Sequence, residues 1–172
     1  MFDPTIYDNL KVGFENALYD LDNLDEIIQV TGRKDIFEMA AMSRELVLQC
    51  CLRGQPQVTA EVILKSSLSD LAAEILETPD SRPGCRLQLR YELLVQDPGA
   101  SCPVIRSILD EGWPGQRVEL EVHYTYGGSN GYRITADVHF VRTVNEEQME
   151  DITELCDHMI NVLPPLLQLS HS

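Results

Sequence analysis

Residues 117–142 constrain the fold more than any other stretch of the chain. In RVELEVHYTY, Val118, Leu120, Val122, Tyr124 and Tyr126 alternate with Arg117, Glu119, Glu121, His123 and Thr125. In YRITADVHFVR, the even positions Tyr132, Ile134, Ala136, Val138 and Phe140 form a second apolar row. Alternation at period two marks strands with one buried face. GGSNG, which separates the two rows, is rich in residues that tolerate positive φ. Both rows reach one face only if even residues pair with even ones. The spacing therefore predicts a hairpin with an odd loop of three or five residues.

An earlier pair of strands is expected over residues 44–64. Leu46, Leu48, Cys50 and Leu52 alternate, as do Val58, Ala60, Val62 and Leu64, with Gly54 and Pro56 in the link between them. Helix competes over residues 35–64, because Asp35 and Glu38 have capping-box spacing and Met39, Ala40 and Ala41 favour helices. A further strand is expected over Leu87–Val95. Helices are predicted after Ser67–Asp70, from Pro103 to Glu111, and from 145 to 162 after Asn145–Gln148. Pro164 and Pro165 should end or kink the last of these. Its stripe of Met149, Ile152, Cys156 and Met159 is expected to pack on Val122, Tyr124, Ile134 and Val138.

Val58-Thr59-Ala60-Glu61-Val62 recurs 76 residues later as Ile134-Thr135-Ala136-Asp137-Val138, with three identities. Such a match is what an internal duplication of a β-hairpin-plus-helix unit would leave, with halves at 1–79 and 85–163. Residues 80–84, after Pro79, mark the expected seam. The fold class predicted is α+β: a single domain of 172 residues, mainly antiparallel sheet with helices packed on one face.

Net charge is -15, from 28 Asp and Glu against 13 Lys and Arg. Residues 1–26 and 144–172 hold most of the excess. A field of that sign repels phosphate backbones and anionic lipid, so neither nucleic acid nor membrane is an expected partner. The acidic start, MFDPTIYDNL, does not read as a secretory signal. Cys50, Cys51, Cys85, Cys102 and Cys156 are odd in number and lack a C-x-x-C pair. They imply neither a disulfide framework nor a zinc site, and fit a reducing cytoplasm.

Few constellations point to chemistry. Gly127–Gly131 matches G-x-S-x-G, but a strand follows it where the nucleophile elbow needs a helix. Asp20, Asp22, Asp25 and Glu26 resemble a cation loop, yet Leu24, Asp25 and Thr31 stand where a calcium loop needs an oxygen ligand, Gly and Glu. A solvated acidic turn is expected instead. In a symmetric hairpin Glu121 faces Asp137 and Glu119 faces His139, with His123 beside Thr135. The opposed carboxylates would need water, a base or a cation. Glu119, Glu121, Asp137 and His139 are therefore the candidate acid/base or metal-assisted site. The two histidines lie about 13 Å apart at strand rise and cannot share one metal.

Cys50 and Cys51 should point to opposite faces, and the one near Arg53 could carry a depressed thiol pKa. His158 reads as a boundary residue, and Trp113 as packing under a loop or anchoring a partner. The leading expectation is a non-catalytic domain that self-associates or binds a protein, needing no cofactor and no metal. Part of the reason is the apolar C-terminal segment VLPPLLQL, which needs cover. The alternatives are the acid/base enzyme above and a small-ligand pocket between sheet and helices.

Overall fold

The computed structural model describes residues 5–77, 79, 82–128 and 130–170. Six strands form one antiparallel sheet: β1 (Ile28–Glu38), β2 (Ser43–Leu52), β3 (Gln55–Ser66), β4 (Arg86–Val95), β5 (Arg117–His123) and β6 (Tyr132–His139), in the order β1-β2-β3-β4-β6-β5. The helices are α1 (Ile6–Asn23), α2 (Leu68–Ile75), α3 (Pro98–Gly112), α4 (Ile152–Asn161) and α5 (Leu163–Ser170), with a 3-10 turn at Glu146–Asp151 before α4. The fold is α+β, with the core between one sheet face and the helix layer. No helix of the described residues is long and apolar enough to cross a membrane.

Residues 35–64 are strand apart from the turns at 39–42 and 53–54, and none of them is helix. Leu46, Leu48 and Cys50 on β2 and Val58, Ala60, Val62 and Leu64 on β3 are all buried on the core face. Their turn is tighter than expected, since Leu52 pairs with Gln55 and Gly54 takes φ +76°. Capping boxes at Ser67–Asp70 and Asn145–Gln148 open α2 and the 3-10 turn. α3 starts at Pro98 behind the N-cap Asp97, so Pro103 lies inside it.

The second hairpin forms, but not in the expected register. Glu119 pairs with Asp137, Glu121 with Thr135, and Arg117 with His139. Even positions still face even ones. The strands separate earlier than three- or five-residue loops require, and Tyr124 and Tyr126 project into solvent at 70% and 95% exposure. Ser129 lies outside the described residues, as do residues 80 and 81 of the expected seam. β3 and β4 pair directly on either side of that seam.

The two like pentapeptides occupy matching registers on opposite sides of β4. Val58 and Ile134 both face Leu93, Ala60 and Ala136 both face Tyr91, and Glu61 and Asp137 both face Arg90. The small alanines leave room for the tyrosine ring, and the acids bracket the guanidinium. Each hairpin extends outward from β4, β2 beyond β3 and β5 beyond β6. Two hairpins so placed, with their core faces alike, are related as mirror images and do not superpose by rotation. What the copies share is the task of flanking β4.

The C-terminal segment departs from the single helix 145–162. The 3-10 turn and α4 run against α1, not on the second hairpin. Ile152 and Met149 sit where a side chain on Gly13 would reach, within 2.9 and 3.0 Å of a built Cβ. A glycine in mid-helix costs about 1 kcal/mol against alanine, and here it admits the neighbouring helix. α3 covers β5 and β6 instead, leaving Val122 45% exposed. Pro164 and Pro165 open α5, where the first amides have no intrahelical acceptor to lose. Leu163, Leu166 and Leu167 of α5 are buried against β3 and β4, so VLPPLLQL is covered within the chain.

α1 and β1 were not expected from the sequence. Tyr7, Leu10, Phe14, Leu18 and Leu21 make the buried stripe of α1, capped by Thr5 and Asp8. β1 hides its period because a bulge at Val30/Gly32 shifts the register. Its core-side residues are also charged. Arg33 meets Glu15 at 2.7 Å, while Asp35 accepts from Tyr7 Oη at 2.9 Å and pairs with Lys11, all from α1. Inward charges and a bulge are how sheet edges resist unwanted pairing.

Candidate functional site

With the helices on one side, the opposite face of the sheet carries a polar row across five strands: Gln49, Glu61, Arg90, Asp137 and Glu119, in register from β2 to β5. Thr31 Oγ1 donates to Gln49 Oε1 at 3.0 Å, and Gln49 Nε2 donates to Glu61 Oε1 at 3.1 Å. Arg90 grips Asp137 with both arms of its fork, Nε to Oδ1 at 2.7 Å and Nη2 to Oδ2 at 3.3 Å. Asp137 is 5% exposed, and a bidentate guanidinium is the partner that such a carboxylate needs. The like-charge pair in the ladder is Glu119 with Asp137, and Arg90 neutralises it from the other side.

Three of the four candidate residues come together. Glu119 faces Asp137, and its Oε2 lies 3.7 Å from His139 Nε2. Glu121 stands apart, opposite Thr135 and 3.5 Å from His123. Among the described residues no group of three or more His, Cys, Asp and Glu is arranged to hold a metal. Arg90 is the member that sequence reasoning missed. The acid at the fourth position of both pentapeptides was its trace, legible only once both strands were known to flank β4.

The cysteines are unpaired. Cys50 lies on the core face and Cys51 on the other, both essentially without exposure. Burial raises the Cys51 thiol, and nearby Arg53 only partly opposes it, so the expected depressed thiol is not there. Burial likewise pushes Cys50, Cys85 and Cys156 up to about 12. Trp113 is 8% exposed, meets Phe140 and His158 edge-on, and donates from Nε1 to Tyr91 Oη at 3.3 Å. His158 Nε2 contacts the Gly112 carbonyl at the end of α3. Trp113 is therefore a packing residue, and His158 lies exposed against its ring.

Asp20 and Asp22 fall in the last turn of α1. Asp22 accepts from Val30 N at 2.8 Å and pairs with Arg53, anchoring β1 and the β2–β3 turn. A surface depression of about 980 Å3 lies at the rim, between Arg82, Pro83 and the segment 141–148.

The hairpin end joining β1 and β2 exposes an apolar run. Ile36, Phe37, Met39 and Met42 are 47%, 48%, 77% and 42% exposed, and Glu38 is the one charge in the span 36–42. Met42 adopts φ +54°, a region that costs a non-glycine side chain about 1–3 kcal/mol. α2 lies at the same end of the sheet with no buried residue, and exposes Leu68, Ile75 and Leu76. No protein-family model matches the chain, and no curated protein or solved structure shows significant similarity to it.

Proposed function

We propose that this protein is a non-catalytic interaction domain that self-associates through the β1–β2 hairpin end. The observation that carries the reading is the exposed, nearly uncharged run Ile36–Met42. Exposed apolar side chains gathered on one feature are the usual mark of a contact surface. Met39 and Met42 add flexible, polarisable side chains that adapt to a facing surface. Met42 also holds a backbone conformation that glycine would adopt more easily, which favours a role for its side chain. A two-fold contact between two such ends buries apolar surface from both copies and brings only Glu38 near its own mate. The reduced thiols fit a cytoplasmic setting. An acid/base role for Glu119, Asp137 and His139 has less support, because Arg90 already occupies both carboxylate oxygens of Asp137.

Sedimentation velocity across a wide range of protein concentration tests the proposal. The expected result is a concentration-dependent larger species that Phe37→Ser with Met39→Ser removes. Met42→Gly should weaken association while raising monomer stability by about 1 kcal/mol, since glycine relieves the positive φ. A strict monomer at the highest concentration overturns self-association.

A further inference from the structure

The cations of this acidic chain are distributed unevenly. Lys11, Arg33, Arg44, Arg53 and Arg90 each meet a carboxylate at 2.8 Å or less. At one corner of the open sheet face the pattern reverses. A depression of about 360 Å3 is lined by Lys65, Arg86, Arg117, Arg142 and His139, with no Asp or Glu among its lining residues.

Antiparallel pairing brings these side chains together. The C-terminal ends of β3 and β6 and the N-terminal ends of β4 and β5 fall at the same end of the sheet. Lys65 pairs with Arg86, and His139 pairs with both Gln88 and Arg117. The chain then bulges away from β4 between His139 and the bridge Cys85–Val144, and Arg142 rides on that bulge. Two features fix the bulge. Gln116 Oε1 accepts from Val141 N at 3.0 Å, and Gly84 lets the chain pass so close that a built Cβ would lie 2.7 Å from the Val144 carbonyl oxygen. Carboxylates flank the corner: Asp70 lines a neighbouring depression with Lys65 and Arg86, and Glu146 and Glu147 line another with Arg142. Glu119 lies 3.9 Å from Arg117 and 3.7 Å from His139, and Glu45 stands across from Lys65 on β2. Among the described residues Lys65, Arg86 and Arg142 have no ion pair.

Holding Lys65, Arg86 and Arg142 around one depression without an ion pair costs repulsion that a bound anion removes. The guanidinium groups of Arg86 and Arg142 offer planar donor forks suited to the oxygens of a phosphoryl group, with Arg117 beside them and shared with Glu119. We infer that this corner is a binding site for a phosphoryl group. Its source is either a small phosphorylated metabolite or a phosphorylated side chain of a partner protein. The assignment stands on charge and geometry and does not depend on self-association.

The test is a two-dimensional amide NMR titration of the full chain with inorganic phosphate, with sodium chloride at matched ionic strength as the control. Saturable shifts at residues 65, 86–88, 117 and 139–143 are expected, with chloride giving none that saturate. Arg86→Gln with Arg142→Gln should weaken phosphate binding roughly tenfold or more, as expected for lost charged hydrogen bonds, and leave the other resonances in place. Titrations with a phosphoserine peptide and a sugar phosphate then separate the sources, and tighter binding of either one supports the site. Shifts that do not saturate with any of the three, that chloride reproduces, or that persist unchanged in the double variant overturn the inference.

Discussion

Replacing Tyr91 by Phe removes one oxygen from the centre of the molecule. Tyr91 is fully buried between Ala60 and Ala136, so the phenylalanine ring keeps its seat and nearly all of its apolar contact. What is lost is the hydroxyl that donates to the Met159 carbonyl at 3.1 Å and accepts from Trp113 Nε1 at 3.3 Å. The indole N–H is then buried without an acceptor, which costs about 1–3 kcal/mol, and the lost bond to α4 costs about 1 kcal/mol more. A total near 3 kcal/mol lowers Tm by roughly 6–12 °C for a domain of this size. Trp113 is the single tryptophan and touches the altered atom, so its fluorescence during urea unfolding reports the change directly. The expected result is a lower midpoint with an unchanged slope. A loss below about 0.5 kcal/mol, the scale of a surface substitution, would refute the claim that this hydroxyl ties β4, α3 and α4 together.

Ile152→Asp should destabilise the fold by several kcal/mol, read as a collapse of the thermal transition, because the charge is buried against α1 with no partner; Glu150→Gln should leave Tm unchanged. A thiol reagent added to native protein should modify Cys102 first, the only one of the five cysteines that is not buried, and reach all five only after denaturation. Stability, measured by urea unfolding, should fall at both ends of the pH range. At the acid end, burial raises Asp8 and Asp35, but hydrogen bonds from Thr5 and Arg44 to Asp8, and from Lys11 and Tyr7 to Asp35, outweigh it and hold both below the usual carboxylate range. Their contribution is present above the unfolded carboxylate pKa, about 4, and is lost as pH falls through the lower folded values. Arg44→Met should flatten that limb. At the alkaline end, Cys50, Cys85 and Cys156 stay protonated up to about 12, whereas unfolded thiols ionise from about 8.5. Stability should decline as pH climbs above the unfolded value.

Strands whose inner rows are apolar, β2 to β6, are legible from period two, because burial on one face writes that period into the sequence, although helix competes for β2 and β3. β1 is not. Its inner positions Arg33 and Asp35 answer to Glu15 and Lys11 on α1, so polarity there follows a tertiary partner rather than the pleat. α1 does carry a helical stripe and a capping box, though residues 1–26 stand out in the sequence first for their acidic charge. The register of the second hairpin depended on where its strands part, and exposed Tyr124 and Tyr126 continue the alternation past that point. Glu119 stands close to Asp137 and His139 because β5 and β6 are adjacent, while the shifted register puts Glu121 opposite Thr135 instead of Asp137. Arg90 and the basic corner require the pairing of β4 with β6, which no local pattern encodes.

The strand order also sets a sequence of events. β1 to β4 form a meander in which each strand meets the one made just before it, so their contacts close short loops. β4 then has no partner on its far side until α3 and β5 have been made and β6 returns between β4 and β5. During that interval β4 is a temporary edge, its backbone unpaired and Leu87, Leu89, Tyr91 and Leu93 only half covered. Such an edge invites the wrong neighbour. The docking of the last hairpin is therefore the step expected to be slow, and refolding kinetics of a variant weakened at the β4–β6 contact, such as Val138→Ala, should show a slower main phase.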